Sequence, residues 1–379
     1  MKAGRKLFYH NYNRPMKGLQ TLHGFNFCFE EFVAMHIPDG YLGPQTTVPA
    51  LVGMAPVWAV AYKKVKEKLQ RKNIPTLALC SAFSFLVMMF NVPVAGGSSA
   101  HAVGAVLIAI LLGPWAATVC VSTALLIQAL VFGDGGILAY GANCLNMALV
   151  MPFAGYGLYR LIGGKSKLGS PRNLTAAFLG SYFGLNLAAL CASVEFGIQP
   201  LLFRGADGNP LYCPYPLSVS ISSMMSAHLL AAGPVEAVVT AAAVAYLAKV
   251  TPQIFAGDAV PEGTGKTPFL KKYRSLLIPI AVMVVLTPLG LIAAGTAWGE
   301  WGTEEIKGAL GYIPQGLASM SDRWNALLPD YSLPALGAGR FGAVAGYILS
   351  ALVGIALISV LLFLLSRLVA KSRNRAEQK

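Results

Sequence analysis

The sequence predicts an all-α integral membrane protein, a polytopic bundle of about nine transmembrane helices. Composition is the first observation behind this prediction: of 379 residues, 55% are hydrophobic and only 12% are charged. The mean hydropathy is +0.59, a value typical of membrane proteins rather than soluble ones. A further observation is that basic residues cluster between the apolar segments, as they do in cytoplasmic loops.

Nine apolar segments are the predicted helices. Most approach the roughly 20 residues that cross a bilayer, but the third is short and ends at Gly113-Pro114. A broken or re-entrant helix is therefore expected there. The approximate limits of the segments are 47–63, 75–94, 101–112, 115–132, 140–162, 174–198, 217–248, 274–297 and 341–368.

The basic clusters also orient the bundle. Loops 63–73, 160–172 and 249–274 and the C-terminal tail carry them, so these parts are expected in the cytoplasm. Alternation then places Met35 outside. The net charge of +13 is explained by basic residues in the cytoplasmic loops of a protein in a lipid bilayer. Binding to nucleic acid is therefore not expected. The predicted location is the inner membrane of a prokaryote.

Residues 1–34 are difficult to place in this topology. They are basic, they would have to lie outside, and no apolar h-region of a secretory signal follows the basic residues. The codons of Glu30-Glu31 form a purine run just before the Met35 codon, where a bacterial ribosome-binding site would lie. We interpret 1–34 as a mis-annotated start, the alternative being a genuine disordered or cytosolic extension.

A chain that began at Met35 would open with a metal chelator. The Met35 α-amine, the deprotonated amide of His36 and the His36 imidazole can occupy three corners of a square around Ni²⁺ or Co²⁺. Pro38, with Asp39-Gly40, predicts a turn that folds this terminus inward. A second imidazole would complete the square.

His101 is the candidate for that second imidazole. A histidine at the outer end of an apolar segment is costly and normally functional, although a structural hydrogen bond to a carbonyl or a serine is the plain alternative. Four polar residues are candidates for groups that orient His101, with helix–helix contacts as the alternative. They are Ser98, Ser99, Asn143 and Asn146.

Three further polar residues lie in or beside apolar segments. His228 and Glu236 are two turns apart on one face of a long apolar helix, where a transport role and a structural hydrogen bond are both open. Asp134, between glycines, either attracts cations at the outer mouth or simply forms a turn, and the turn is favoured.

Several motifs together resemble the CbiM/NikM family, the substrate-specificity subunits of cobalt and nickel energy-coupling factor importers. The resemblance implies that Met35, His36 and His101 surround the metal. It also implies a separate transmembrane coupling protein and cytoplasmic ATPases as partners. The motifs are Met-His-Ile-Pro-Asp-Gly (35–40), Gly-Gly-Ser-Ser-Ala-His-Ala-Val-Gly (96–104), Leu-Leu-Gly-Pro-Trp-Ala (111–116), Gln-Ala-Leu-Val-Phe-Gly-Asp-Gly-Gly (128–136) and Gly-Ala-Asn-Cys-Leu-Asn-Met (141–147).

The C-terminal part resembles the small two-helix accessory subunit of the same importers. Pro-Asp-Tyr-Ser-Leu-Pro (329–334) carries this shorter resemblance. The predicted organisation is a metal-binding membrane domain over 35–250, a cytoplasmic linker over 251–272 with Pro and Gly composition, and an accessory module over 273–379 with an extracellular loop.

The resulting hypothesis is the metal-capturing subunit of an ATP-driven nickel or cobalt importer. Gly265-Lys266-Thr267 lacks the earlier glycine of a phosphate-binding loop, so ATP hydrolysis is assigned to partners and no enzyme activity is expected. No prosthetic group is expected either, since the metal ion is the cargo. The alternative is a self-sufficient secondary transporter or channel that uses Glu195, Glu236 and His228 as a relay.

Overall fold

A computed structural model describes residues 35–68, 74–94, 98–256, 269–293, 299–321, 323–337 and 339–377. The hypothesis about residues 1–34 therefore lies outside the described residues. The prediction of an all-α membrane bundle is confirmed, because helices make up most of the described chain and the strands are two short ones.

The order of the helices follows the apolar segments. Three of the helices, α4, α5 and α9, continue directly into π-helical turns. Helix α12 continues directly into a 3-10 turn, and another 3-10 turn follows α10. The helices are α1 (Pro44–Lys68), α2 (Ile74–Met88), α3 (Ala105–Leu112), α4 (Pro114–Ile127), α5 (Tyr140–Asn143), α6 (Met151–Gly163), α7 (Pro171–Gly197), α8 (Gln199–Leu202), α9 (Leu217–Ala227), α10 (Gly233–Val250), α11 (Phe269–Lys272), α12 (Arg274–Leu286), α13 (Thr303–Leu310), α14 (Gln315–Met320) and α15 (Arg340–Glu377).

Five helical stretches of the described chain are long and apolar enough to cross a membrane. The stretch Pro114–Phe132 is central, with 78% of its most apolar window buried, whereas 28% is buried in both Arg274–Ile292 and Arg340–Leu365. The other two are Pro171–Leu202 and Leu217–Val250. The multi-pass character is thus clear, and the count of nine spans stays a prediction.

The predicted segments 75–94 and 101–112 are only partly helical. Helix α2 ends at Met88, and the chain then forms an antiparallel hairpin of β1 (Val92–Val94) and β2 (Ser98–Ala100). Helix α3 begins four residues after His101. Gly104 just before it has a φ of 72°, a left-handed conformation that glycine adopts at little cost. The hairpin and this turn together deliver His101 to the interior.

Three π-helical turns interrupt the bundle at Gln128–Phe132, Cys144–Val150 and His228–Ala232. The first continues α4, the second joins α5 to α6, and the third joins α9 to α10. Such turns are rare and are often found at functional sites. The first directly precedes the loop 133–139, which contributes Asp134 to the candidate metal centre.

The C-terminal module packs its helices α12 and α15 against α2. The Tyr347 hydroxyl donates a hydrogen bond to the Met89 carbonyl at 3.2 Å. Gly354 lies directly against the ring of Phe85, where a Cβ atom would clash. The segment between these helices folds over the loop that follows α4, since the Leu328 amide donates to the Val131 carbonyl at 2.8 Å.

Candidate metal centre

The segment that contains Met35 and His36 is non-helical and buried, and each of these residues is 1% exposed. Asn143 at the end of α5 holds the segment in place. Its Oδ1 accepts a hydrogen bond from the Ile37 amide at 2.9 Å, and its Nδ2 donates to the Ile37 carbonyl at 3.0 Å. Buried backbone groups need such partners, so this clamp fixes the residue next to His36.

The turn predicted at Pro38-Asp39-Gly40 is present and is anchored by Asp39. The Asp39 carboxylate accepts hydrogen bonds from the amides of Ile137 at 3.2 Å, Leu138 at 2.8 Å and Ala139 at 3.3 Å. These amides precede α5, where a carboxylate is favourable for both capping and the helix dipole. The turn therefore directs the chain inward toward the loop 133–139.

His36 and His101 face each other inside the bundle. The His101 Nε2 lies 3.1 Å from the His36 Nδ1, and the ring centroids are 4.6 Å apart. The other nitrogen of His101, Nδ1, lies 3.1 Å from the Ala102 carbonyl. Because a carbonyl accepts only, Nδ1 is assigned the proton, and the lone pair of Nε2 points at His36.

Asp134 completes the immediate surroundings of His36. Its Oδ1 lies 3.0 Å from the His36 Nδ1. Burial lowers the pKa of His36, but the carboxylates of Asp134 and Glu300 together raise it by more, so the pKa is raised from its usual value. Burial raises the pKa of Asp134, but His36, His101 and the Tyr331 hydroxyl together lower it by more, so its carboxylate is ionised. The favoured interpretation of Asp134 as a plain turn residue missed this contact.

Glu236 holds the turn that carries His101. Its Oε2 accepts hydrogen bonds from the Val103 amide at 2.8 Å and the Gly104 amide at 2.9 Å. The side chain is fully buried. A carboxylate bonded to two amides in an apolar interior fixes backbone strongly, so Glu236 positions the peptide that follows His101.

The other candidate residues lie at different places. Asn146 donates to Glu195 at 2.8 Å, and the Nδ1 of His228 lies 2.9 Å from the Met224 carbonyl. Ser98 and Ser99 belong to β2, which pairs with β1. Among the described side chains, no hydrogen bond joins Ser99, Asn146 or His228 to His101 or His36. Asn143, predicted to orient His101, instead bonds to the backbone of the segment 35–40.

The accessory module contributes two groups that sequence patterns did not indicate. The Tyr331 hydroxyl donates to the Asp134 Oδ2 at 2.5 Å and accepts from the Gln128 amide at 3.0 Å. Ligand atoms of His36, Asp134 and Glu300 all lie within 4.8 Å of one another. The sequence signal for these contacts was the motif Pro-Asp-Tyr. This motif indicates a loop, but it does not indicate that Tyr331 bonds to Asp134.

The arrangement is suited to a divalent cation. Two imidazole nitrogens face each other, a carboxylate lies beside one of them, and a second carboxylate lies nearby. Imidazole suits nickel, copper and zinc, and carboxylate suits harder ions.

Comparison with known proteins decides the family. Residues 36–254 match the family described as the cobalt uptake substrate-specific transmembrane region. The chain belongs to this family. Residues 274–371 match the PDGLE domain. The predicted fusion of a C-terminal accessory module to this member of the cobalt-uptake family is therefore confirmed. It is a multi-pass membrane protein of metal transport rather than an enzyme.

Relatives with the same fused organisation cover most of the chain. The fused nickel transport protein NikMN of Rhodobacter capsulatus is 48% identical over 339 residues, which are 86% of this chain and 95% of the relative. The probable fused nickel transport protein LarMN of Lactiplantibacillus plantarum is 44% identical over 342 residues, 87% of this chain and 96% of the relative.

A solved structure is also similar to this family member. The crystal structure of a truncated transition metal transporter aligns with a TM-score of 0.54 and 52% sequence identity. The alignment covers 57% of this chain and 99% of the other. The fold of the aligned part is therefore shared with a protein described as a transition metal transporter.

Proposed function

We propose that this chain captures Ni²⁺ or Co²⁺ for an ATP-driven importer and holds the ion between His36 and His101. Nickel is favoured because the two fused relatives are named nickel transport proteins. The observation that carries the proposal is the 3.1 Å separation of the His36 Nδ1 and the His101 Nε2. The resemblance of the chain to energy-coupling factor subunits suggests a membrane coupling protein and ATPases as partners.

The proposed ligands are four nitrogens in a plane. The Met35 amine, the His36 amide and the His36 Nδ1 form two fused chelate rings, so the amide lies between the other two. The His101 Nε2 then takes the corner opposite the amide and adjacent to the His36 Nδ1. With metal–nitrogen bonds of about 2.0 Å, adjacent corners of a square are about 2.8 Å apart. The separation of 3.1 Å is close to that value.

The polar surroundings support the same assignment. Asn143 and Glu236 hold the backbone next to each histidine, which is how outer groups of a metal site keep the ligands in place. The proposal further requires that the mature chain begins at Met35, because only then is the Met35 nitrogen an amine. It places Met35 and the loop 133–139 outside the cell and the C-terminus inside.

The rival mechanism, a relay through Glu195, Glu236 and His228, receives no support from the contacts. Glu236 is bonded to the backbone of residues 103 and 104, and Glu195 to Asn146. Within the described part of the chain, no hydrogen bond joins any two of the three relay candidates. A proton or ion path needs such connections, directly or through water.

The test is the intact mass of the purified full-length product together with its metal content. We expect a mass that corresponds to a start at Met35 and one tightly held Ni²⁺ or Co²⁺ per chain. A product that retains residues 1–34 and still holds the ion tightly would contradict the role of the amine. Uptake into cells that lack the ATPase partners would contradict the importer assignment.

A further inference from the structure

The three groups His36, Asp134 and Glu300 come from distant parts of the sequence and converge at one point. Their ligand atoms lie within 4.8 Å of one another. His36 belongs to the chelating segment, Asp134 to the turn after α4, and Glu300 to the accessory module. A distance of this size can be bridged by one divalent cation with its bonds of about 2.0–2.6 Å.

Glu300 has an unused ligand atom at this point. Its Oε1 is buried and has no hydrogen-bond partner among the described residues. The Nε2 of His36 is likewise buried without a partner. A buried carboxylate oxygen without a donor is costly, so the arrangement calls for a cation or an ordered water that the carboxylate can bind.

The position of Glu300 is fixed by its neighbours. The Tyr41 hydroxyl, on the chelating segment, donates to the carbonyl of Trp301 at 3.0 Å. Gly302, which follows Trp301, donates a hydrogen bond from its amide to the Glu305 carboxylate at 2.8 Å, just before α13 begins. Glu300 is therefore held between an anchor to the metal-binding part and the start of a helix.

The charges at this point also favour a cation. Burial and the neighbouring Asp134 carboxylate raise the pKa of Glu300 to about 8. Two carboxylates so close together repel each other unless a proton or a cation lies between them. A divalent cation would compensate both charges, and a partly hydrated ion suits oxygen ligands.

We propose that His36, Asp134 and Glu300 form a capture site that holds the incoming divalent cation, still partly hydrated, before it reaches the nitrogen ligands. This inference rests on the proposed function, because His36 is shared: the ion exchanges oxygen ligands for His101 and the terminal amine. Its new element is that the accessory module supplies a ligand, Glu300.

The capture site and the nitrogen square can be separated with two ions. Mn²⁺ prefers oxygen ligands and is the weakest of the first-row divalent ions for nitrogen ligands, so it serves as the probe for the capture site. In the full-length purified chain, we expect Mn²⁺ binding followed by electron paramagnetic resonance to fall about tenfold or more in Glu300→Gln. Glu300→Asp, which keeps the charge, should restore part of the binding.

The matched control is Glu304→Gln, which removes the same charge from an exposed position four residues away and should bind Mn²⁺ like the wild type. His101→Ala should lose tight Ni²⁺ retention. Absence of Mn²⁺ binding, or equal binding in Glu300→Gln and the wild type, would overturn the capture site. Retention of Ni²⁺ in His101→Ala would instead overturn the proposed function.

Arrival kinetics give a second readout. A buried carboxylate that meets the ion first should raise the association rate, as local fields do by about tenfold or more. In stopped-flow mixing with Ni²⁺, Glu300→Gln should therefore bind the ion about tenfold more slowly than Glu304→Gln. Equal association rates in these two variants would count against capture by Glu300.

Discussion

The proposed metal centre has two walls that differ in chemistry. The metal-binding part presents nitrogen through His36 and His101, which lie 3.1 Å apart. The accessory module presents oxygen through the Tyr331 hydroxyl and the Glu300 carboxylate. Nitrogen ligands hold late first-row ions firmly, whereas oxygen ligands exchange readily with a hydration shell. The difference suggests that one wall retains the ion and the other governs its arrival.

The walls also differ in how they are held. The nitrogen wall is fixed by direct hydrogen bonds to backbone, from Asn143 and Glu236. The oxygen wall is held by aromatic packing as well as hydrogen bonds: the Tyr331 ring stacks on Phe132 with centroids 4.7 Å apart, and the Tyr41 hydroxyl donates to the Trp301 carbonyl. Tyr331 has a φ of 57°, a conformation that costs a non-glycine residue roughly 1–3 kcal/mol. The surrounding contacts hold Tyr331 in it.

The largest effect should come from removing a nitrogen ligand. His101→Ala removes one corner of the square, and we expect Ni²⁺ affinity in equilibrium dialysis to fall by more than about 100-fold, beyond the effect of losing an outer group. His228→Ala is the matched control, because it removes another buried imidazole, one that has no hydrogen bond to His36 or His101 among the described residues. Loss of uptake in His228→Ala with normal uptake in His101→Ala would favour the relay instead.

The clamp on the chelating segment should come second. Asn143→Ala leaves the buried amide and carbonyl of Ile37 without their side-chain partner, so His36 loses its fixed position. We expect a loss of about 10–100-fold in Ni²⁺ affinity. Asn146→Ala, the same change one helical turn away, should alter affinity much less because Asn146 bonds to Glu195. Equal losses in the two variants would argue against the clamp.

The pH dependence of binding should reveal the contact between His36 and Asp134. A metal ion must displace a proton from His36, and the pKa of His36 is raised by Asp134 against the opposing effect of burial. Protonation therefore competes with Ni²⁺ as the pH falls through this pKa, and below it His36 alone should lower the apparent affinity by about tenfold per pH unit, in addition to the loss from the amine and the amide. Asp134→Asn should move the loss to lower pH. Equilibrium dialysis between about pH 8 and pH 5 measures the Ni²⁺ affinity of both proteins. An affinity that does not change with pH would contradict the competition between Ni²⁺ and the proton on His36.

The smallest effect should come from the oxygen wall. Tyr331→Phe keeps the aromatic packing and removes only the hydroxyl between Asp134 and Gln128. Loss of one hydrogen bond to a charged group costs about 1.5–3 kcal/mol at most, and the ion itself can compensate part of it. We expect about a fivefold loss in Ni²⁺ affinity, measured against Tyr347→Phe, whose hydroxyl bonds to Met89. A larger loss in Tyr347→Phe would place the effect in packing between the modules.

Sequence reasoning singled out His36 and His101, which the structure brings together, because both residues are chemically conspicuous. His36 follows a methionine in a chelating order, and His101 is an imidazole beside an apolar segment. The all-α membrane fold followed from composition alone. The role of Asn143 was harder to predict: a polar residue near a histidine suggests a bond to that histidine, whereas Asn143 bonds to the backbone of Ile37.

The oxygen wall was missed for a physical reason. Glu300 and Tyr331 lie near Asp134 and His36 because two modules pack together. A local sequence pattern cannot predict contacts between such distant parts of the chain. Asp134 between glycines has the composition of an ordinary turn. Its pairing with His36 depends on the inward course of the segment 35–40, which is visible only in three dimensions.

Both walls belong to one polypeptide. A tethered segment meets its target at an effective concentration in the millimolar range, so weak packing of Tyr331 on Phe132 is enough to keep the loop in place. Every metal centre thus receives one loop of its own, without competition among copies for a diffusing subunit. Fusion converts what would be an encounter between two membrane proteins into a fixed ratio of one to one.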